Sequence, residues 1–507
     1  MLNFQNGYLV DQPKTGFGMS PSDMQKSSVY ASHPVPGLAE DAQELLKTLT
    51  AGDYQTDVSQ LSGGEALRIE SLDRVIKAIT IDNDDFKFWN NLAKHNALNP
   101  VDQWIEKPQG AIAPFVGSGF IGETDSIAQH NAVYNRRTAF VKYLSTLREI
   151  SVVQLNQRNV IDVEADENYN AGLEILQSSE WGSFFGNSNV VPEEFDGMEL
   201  IIETEAPGNI IDMEGSSDVS ELYTNVTKLA ATVRKFGNFG QLTDMYHGPA
   251  VQTDLDNLLL QAYRVQQSSS ATDLLMGAPV LGVRTSFGPI DMNPDVITGT
   301  RFEQQPLDAT PGAVGALAPG APTSVTVSAA GTDAAAKFKA DQAGTYYWKV
   351  AAINKAGESV LTDGDTGQAI AAGESVSMSI AASGGNLETG YAIYRGRKDV
   401  DPGANKDDVR LVRRIPKTGA SGPTVFVDQN LYIPGTETIF LVNHKPGHQS
   451  ISFGILSNLM RWELYPTNKL VKPFAYFLFG YLRITKAVQQ AMIRNYLPNN
   501  ADWLPFG

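Results

Sequence analysis

Met460-Arg461-Trp462-Glu463-Leu464-Tyr465-Pro466 and, shortly after it, Lys472-Pro473-Phe474-Ala475-Tyr476-Phe477-Leu478-Phe479-Gly480-Tyr481-Leu482-Arg483-Ile484 decide how this chain is read. They follow an apolar run at 453–459 and belong to the last stretch of the sequence, 447–507. Such runs, rich in aromatic residues, favour strands, and Pro and Gly punctuate them. The pattern predicts successive strands that end in a short terminal helix. No catalytic motif lies in this stretch.

Working outward, the 507 residues are 42% hydrophobic and 19% charged, enough apolar material for two or three cores and against global disorder. Cysteine is absent, which excludes disulfides, thiolate metal sites and cysteine nucleophiles together. Residues 1–20 lack a basic start followed by an apolar run, and the apolar run at 473–482 is shorter than the roughly 20 residues a membrane helix needs. The expectation is a soluble protein made in a cytoplasm, without membrane contact. The net charge is -18, and residues 160–260 hold 19 Asp or Glu against Lys228, Arg234 and Lys235. A surface of that sign repels phosphate and disfavours specific nucleic-acid binding. It suits solubility, or the wall of a DNA container that does not stick to its contents.

Residues 1–60 are rich in Gly, Pro, Ser and Asp, with one short helical stretch at 39–49, and read as an extended arm lying on some other surface. Leu67, Leu72, Val75, Ile76 and Ile79 give a helical stripe within 62–96. Two strands, at 101–105 and 138–144, flank the long Gly-rich stretch 108–137, which is more natural as a projecting hairpin than as an internal loop. A helix is predicted over 165–186. Val219, Leu222, Val226, Leu229, Val233 and Phe236 predict another, capped by Asp218 with Glu221 and stopped by Gly237. A third starts at Pro249, and strands are expected at 198–204 and 280–284. Composition then changes. Residues 306–323 read as a Pro-rich linker, and strand signals recur at 324–328, 345–354, 375–381, 390–395, 409–415 and 424–428. The segment 345–359 resembles the C-terminal strands of fibronectin type III and immunoglobulin-like domains, which implies a small β-sandwich inserted into a host that resumes near Ile439.

Motifs with chemical meaning fail on context. Gly117-Ser-Gly119-Phe-Ile-Gly122 matches a dinucleotide loop but lacks a preceding buried strand, and Leu61-Ser62-Gly63-Gly64-Glu65 has no phosphate-binding loop to accompany it. Only His444 and His448 have helix-ligand spacing, and Lys445-Pro446-Gly447 between them forbids the helix. Glu164 with Asp166 and Glu193 with Glu194 read as solvated acidic faces. Eight basic residues between Glu388 and Lys417 (Arg395, Arg397, Lys398, Lys406, Arg410, Arg413, Arg414 and Lys417) read as an ordinary sandwich surface, or as a contact for a neighbour's acidic segment or an external polyanion. Neither cofactor nor metal is expected.

Taken in order, arm, hairpin, long helix, α/β core, inserted sandwich and closing sheet resemble the major capsid proteins of tailed bacteriophages, the Hong Kong ninety-seven type of fold. The resemblance rests on that order and on the segments 461–463 and 473–483. It implies an α+β fold in which 1–65 is an N-terminal arm, 66–99 a helical segment, 100–150 an extended hairpin loop and 151–204 a peripheral domain with its spine helix. It further implies an axial domain at 205–305, the inserted sandwich at 306–438 and a return to the core at 439–507. By the same resemblance the chain is a non-enzymatic virion protein assembling with itself into hexamers and pentamers around double-stranded DNA. Cement or decoration proteins, scaffold and portal are its possible further partners. The hairpin would embrace an adjacent subunit, with Trp104, Phe115, Phe120, Arg136 and Arg137 as candidate inter-subunit contacts. Two other readings compete: a tail or sheath subunit whose sandwich binds host or glycan, and an enzyme with an accessory β-domain. The latter wants a secretory signal and a carboxylate pair in an aromatic cleft.

Overall fold

The computed structural model describes residues 4–5, 8–9, 83–107, 120–126, 134–157, 162–262, 280–306 and 317–507, apart from 365, 386, 404, 420–421 and 467. The chain divides into two units, Met1–Lys77 and Ala78–Gly507. In the first, Phe4–Gln5 pairs antiparallel with Tyr8–Leu9. The rest of the expected arm, the helix at 39–49, the stripe from Leu67 to Ile79, Phe115 and the linker residues 307–316 lie outside the described residues.

The second unit begins with a short helix α1 (Lys87–Asn91) and strands β1 (Lys94–Asn96), β2 (Val101–Glu106), β3 (Asn135–Phe140) and β4 (Lys142–Ser151). The helical reading of 62–96 therefore fails at its end: Leu92 is already extended, and β1 pairs parallel with a strand far along the chain. Helix α2 (Val163–Phe185) is capped by Asp162, whose carboxylate accepts from the Glu164 and Ala165 N–H groups, and Glu164 and Asp166 suit its positive N-terminus. Helix α3 (Met198–Glu205) replaces the strand expected at 198–204. The β-branched pair Ile201-Ile202 suggested a strand, but Met198 and Ile202 are buried at i, i+4 and the intervening positions carry good helix formers.

Strand β5 (Ile210–Asp212) leads to α4 (Val219–Arg234). Here Leu222, Val226, Leu229 and Val233 are buried, as the periodicity predicts, and Asp218 caps Ser220. Glu221 does not close a capping box; it accepts instead from the Ser216 hydroxyl. Next come β6 (Asp244–His247), α5 (Pro249–Ala262), β7 (Gly282–Thr285), β8 (Gly288–Pro294) and α6 (Val296–Glu303). The segment at 325–428 then supplies β9 (Val325–Val327), β10 (Trp348–Asn354), β11 (Glu374–Ile380), β12 (Gly390–Gly396), β13 (Val409–Pro416) and β14 (Thr424–Asp428). The chain ends with β15 (Glu437–Val442), β16 (Ile451–Glu463), β17 (Val471–Ile484) and β18 (Ala491–Tyr496).

Two sheets form the host. One has the order β5-β18-β15-β6-β8-β7, the other β1-β16-β17-β4. The expected terminal helix is a single tight turn at Ala487–Gln489, and the apolar Ala491-Met492-Ile493 that follows is strand β18, buried on both faces between β15 and β5. Nor does Gly480 interrupt its run. It lies inside β17, where a Cβ would stand 2.3 Å from the Phe453 ring, so its lack of a side chain lets that ring cross the strand. Tyr246 and Phe440 on one face of the six-stranded sheet join Phe88, Phe184, Phe185, Phe453 and Leu478 in an aromatic core shared with the other sheet. Met245, Leu441 and Ile493 on the opposite face meet α4 and α5.

Within 325–428, β11 pairs β9 and β14, and β10 pairs β12, which pairs β13, all antiparallel. Val325, Val376, Met378 and Ile380 of the first set meet Trp348, Val350, Tyr391 and Ile393 of the second in one core. A buried charge staples the sets. Arg395, fully buried, donates to Asp428 at 2.8 Å and to Asn430 at 2.7 Å, while Trp348 Nε1 donates to the same Asp428 oxygen at 3.0 Å. The guanidinium lies over Phe338 and Tyr346 at 5.2 and 5.1 Å.

A second buried polar pair sits in the host core. Glu180 of α2 and Asp295, before α6, are both fully buried and lie close enough for each carboxyl to act on the other. Glu180 Oε1 accepts from the Phe88 N–H at 2.9 Å and Asp295 Oδ1 from the Ile297 N–H at 2.8 Å. Burial, reinforced by Asp295, pushes the Glu180 carboxyl up to about 10, and burial raises Asp295 as well. Burial and mutual repulsion therefore oppose ionising both carboxyls together.

Two outcomes follow from these pairs. Asp428→Ala leaves a buried, uncompensated guanidinium and should cost about 3–5 kcal/mol in urea denaturation; a loss below 1 kcal/mol would contradict the staple. For the carboxyl pair, the folded state raises a carboxyl above its ordinary 4.5. Its stabilisation is complete below about pH 4.5 and is lost as pH rises toward about 10. Glu180→Gln removes the titrating carboxyl, so its melting temperature should fall less than that of the parent between neutral and alkaline pH. Parallel pH profiles would contradict a raised Glu180 carboxyl.

Candidate assembly surface

The hairpin predicted from the sequence is the antiparallel pair β2–β3, with Val101 opposite Phe140 and Glu106 opposite Asn135. Alternation along β2 sends Asp102, Trp104 and Glu106 toward the body and Val101, Gln103 and Ile105 outward. Trp104 stands opposite Arg137, and Ile105 opposite Arg136, so each pair shares a face.

The inward face is held by charge. Arg137 Nε donates to Glu106 at 3.0 Å, and its Nη1 lies 3.0 Å from Glu205 at the end of α3. Trp104 Nε1 donates to the other Glu106 oxygen at 2.7 Å, and the Arg483 guanidinium of β17 lies over the indole at 5.1 Å. The Tyr481 hydroxyl donates to Asp102, and His95 Nε2 lies 3.6 Å from the same carboxylate. Burial raises the Glu205 carboxyl, with Arg137 acting against it, and burial together with Arg483 lowers His95. A cavity of about 360 Å³ under the hairpin is lined by Trp104, Glu106, Arg137, Phe195, Glu205 and Tyr481. The arrangement is a clamp: it fixes a two-stranded projection to the body.

The outward face mixes exposed apolar and polar side chains: Ile105 is 68% exposed and Phe140 63%, beside Gln103, Arg136 and Thr138. Phe120 in the following fragment is 84% exposed, and Tyr143 and Leu147 are exposed on β4. Of the sequence-predicted contact residues, Trp104 and Arg137 lie in the clamp, Arg136 and Phe120 are exposed, and Phe115 is outside the described residues. A second exposed apolar group, Trp462, Leu464, Tyr465 and Leu470, lies where β16 ends and β17 begins. Gly122 opens a turn, its N–H donating to Asp125 at 2.8 Å. Among the described residues no three His, Asp or Glu side chains are placed to hold a metal, and no helix is long and apolar enough to cross a membrane.

The acidic pairs are not simply solvated. Glu164 binds Lys472 at 2.8 Å and also Arg461, which lies over Phe474; these ion pairs, with hydrogen bonds foremost, lower its carboxyl. Glu194 accepts from Arg414 at 2.9 Å, and Glu203 from Arg413 at 2.9 Å. Arg414 also donates to the Phe185 carbonyl and covers Trp181. Part of the basic strand β13 therefore meets acids of its own chain, not an open surface. Sequence reasoning missed Glu180, although it falls on the stripe Leu173, Leu176, Glu180, Phe184; a charged residue at a core position of a helix was the available signal.

No protein-family model matches the chain. Over 471 residues it is 24% identical to the major capsid protein of Staphylococcus phage S25-3, covering 89% of this chain and 95% of that protein. Over 476 residues it is 24% identical to the major capsid protein of Staphylococcus phage K, with the same coverage. Among solved structures, one of Mycobacterium phage Bobi aligns with a TM-score of 0.42 and 9% identity over 86% of this chain and 98% of that one.

If the clamp fixes the hairpin, Arg137→Ala should remove about 1 kcal/mol of local stability and speed amide exchange in β2 and β3 roughly fivefold. Exchange in β15 and β18 should not change. Equal rates in β2 and β3 would show that the two ion pairs hold nothing.

Proposed function

We propose that this chain is the structural shell subunit of a tailed-phage virion: a major capsid protein, not an enzyme, that assembles with copies of itself. The carrying observation is the similarity to phage major capsid proteins along nearly the whole of both chains. A projecting hairpin clamped on one face, with Ile105 and Phe140 exposed on the other, supports the reading, since exposed large apolar side chains suit a protein partner.

In finer detail, the shell is icosahedral, built of hexamers and pentamers, and encloses double-stranded DNA. The arm is 1–65, the segment 66–99 leads from it to the first strand of the host sheet, and the extended loop is 100–150. The peripheral domain is 151–204 with α2 as its spine, the axial domain 205–305 and the closing return 439–507. Residues 306–438 form an inserted immunoglobulin-like sandwich on the outer surface; the core shared by β9–β14 supports this. Phe115, Phe120 and Arg136 face the neighbouring subunit, and Trp104 and Arg137 set the angle at which they are presented. Decoration, scaffold and portal proteins bind the assembled shell, which forms in the host cytoplasm.

Negative-stain electron microscopy with sedimentation tests the reading. Closed shells, or discrete pentamers and hexamers, are expected. A protein that remains a 55.0 kDa monomer at high concentration would overturn it.

A further inference from the structure

On a chain of net charge -18, the end of α4 and two nearby turns form a basic island. Arg234 and Lys235 close α4, Lys445 lies in the turn between β15 and β16, and Lys486 in the turn between β17 and β18. All four are exposed. Arg234, Lys445 and Lys486 gather around His448, whose backbone carbonyl accepts from Lys486 Nζ at 2.7 Å. Burial, then the charges of Lys445, Lys486 and Arg234, depress the His448 imidazole, and no carboxylate is among the influences on it. Among the described residues none of the four cations has a carboxylate within 4.0 Å. Most other arginines of the unit do, including Arg137, Arg148, Arg395, Arg413, Arg414, Arg461 and Arg494.

The ordinary explanation is a helix C-terminus, whose carbonyls favour cations. It accounts for Arg234 and Lys235 but not for Lys445 and Lys486, which arrive from two other turns. Three separate segments bring positive charge to one place with only neutral acceptors, Gln241 Oε1 for Lys445 and the His448 carbonyl for Lys486, and an anion between them would relieve their mutual repulsion. We infer that this island is a contact for the phosphate backbone of double-stranded DNA, independent of base sequence, on the face of the subunit turned to the shell interior. The inference rests on the shell reading above. An acidic segment of a second copy is the competing occupant. However, Glu164, Glu194, Glu203, Glu205, Asp212 and Glu214 of the acidic region already bind cations of their own chain. Duplex DNA, with a charge every ~1.7 Å along its axis, is the denser anion. The net charge of -18 then repels DNA broadly, while the island holds it at one point per subunit.

The test is fluorescence anisotropy of the purified full chain with a short DNA duplex of random sequence, between about 50 and 200 mM salt. The expected log–log salt slope is about -3, and Lys445→Gln with Lys486→Gln should reduce its magnitude by about 2. Lys445→Arg with Lys486→Arg should restore it, which separates charge from misfolding. Lys87→Gln with Lys355→Gln, away from the island, should leave it unchanged. No binding by the parent chain at the lower salt, or an unchanged slope in the first variant, overturns the inference. So does a variant that loses association between copies while its DNA slope is unchanged, the signature of an acidic neighbour. Electron microscopy of the same preparations keeps the two readings apart. Shells with an unaltered slope sink only the DNA contact, whereas failure of the parent chain to assemble sinks the reading beneath it.

Discussion

Everything in the host unit is built around the fixing of α2 at both ends. Its first turn is tied down by Glu164, which bridges Lys472 and Arg461 on the long strands β16 and β17. Its last turns enter the aromatic core, where Phe184 meets Phe88 at 4.8 Å and Phe440 at 5.1 Å between ring centroids. Near that end Glu180 reaches the Phe88 N–H and Asp295, so a single polar contact joins α2, α1 and the entry to α6. A helix held only by apolar packing could slide or roll; one held by a charged contact at one end and a buried carboxyl pair at the other has one register. The two sheets take their positions from that helix, because the core it completes contains residues of both.

The charge distribution has a similar logic. The acid-rich middle of the sequence looks like a repulsive surface when counted along the chain. Folded, much of it is cross-linked. Glu203 receives Arg413 and the Tyr432 hydroxyl, Glu194 receives Arg414, Glu214 receives Lys337 and Lys339, and Asp212 receives Arg494. These pairs connect the segment 325–428 and the C-terminal strand to the middle of the chain. Several are half-buried and reinforced by stacking, as Arg414 is on Trp181 and Arg413 on Tyr432, which makes them worth more than isolated surface pairs. The segment is thereby held in one orientation.

What the sequence made legible is what period and punctuation can encode. Helix α4 followed from its 3-4-3-4 stripe, and its cap from Asp218. The strands from β9 to β14 followed from recurrent short apolar runs, and the hairpin from two strands around a Gly-rich stretch. The failures share a cause. At 198–204 and 491–496 the apolar runs are short and buried, and period alone cannot separate a buried strand from a helix turn; the neighbour decides, and it is distant in sequence. Gly480 was read locally as a breaker, whereas its role is to admit a ring from β16. Ion-pair partners such as Glu164 with Lys472, some 300 residues apart, leave no local trace at all. The candidate surface was half legible: the hairpin could be placed, but which of its faces is clamped depends on α3 and β17.

On the proposed shell reading, that hairpin is the point at which fold would become function. A two-stranded ribbon has little core, and the residues that fasten this one, Trp104, Glu106 and Arg137, use only its inner face. Ile105 and Phe140 stay in water unless another surface covers them. Burying them is worth about 25 cal/mol per Å² of apolar area, a modest gain for one contact after the cost of association. In a closed shell the same contact recurs at each subunit, and each one formed makes the next effectively intramolecular. Weak, rigidly aimed contacts then suffice, and they have an advantage over strong ones: a misplaced subunit can leave before the shell closes around it. On the proposed reading the clamp would supply the aim, Ile105 and Phe140 the modest attraction, and the aromatic core behind them would keep both in register.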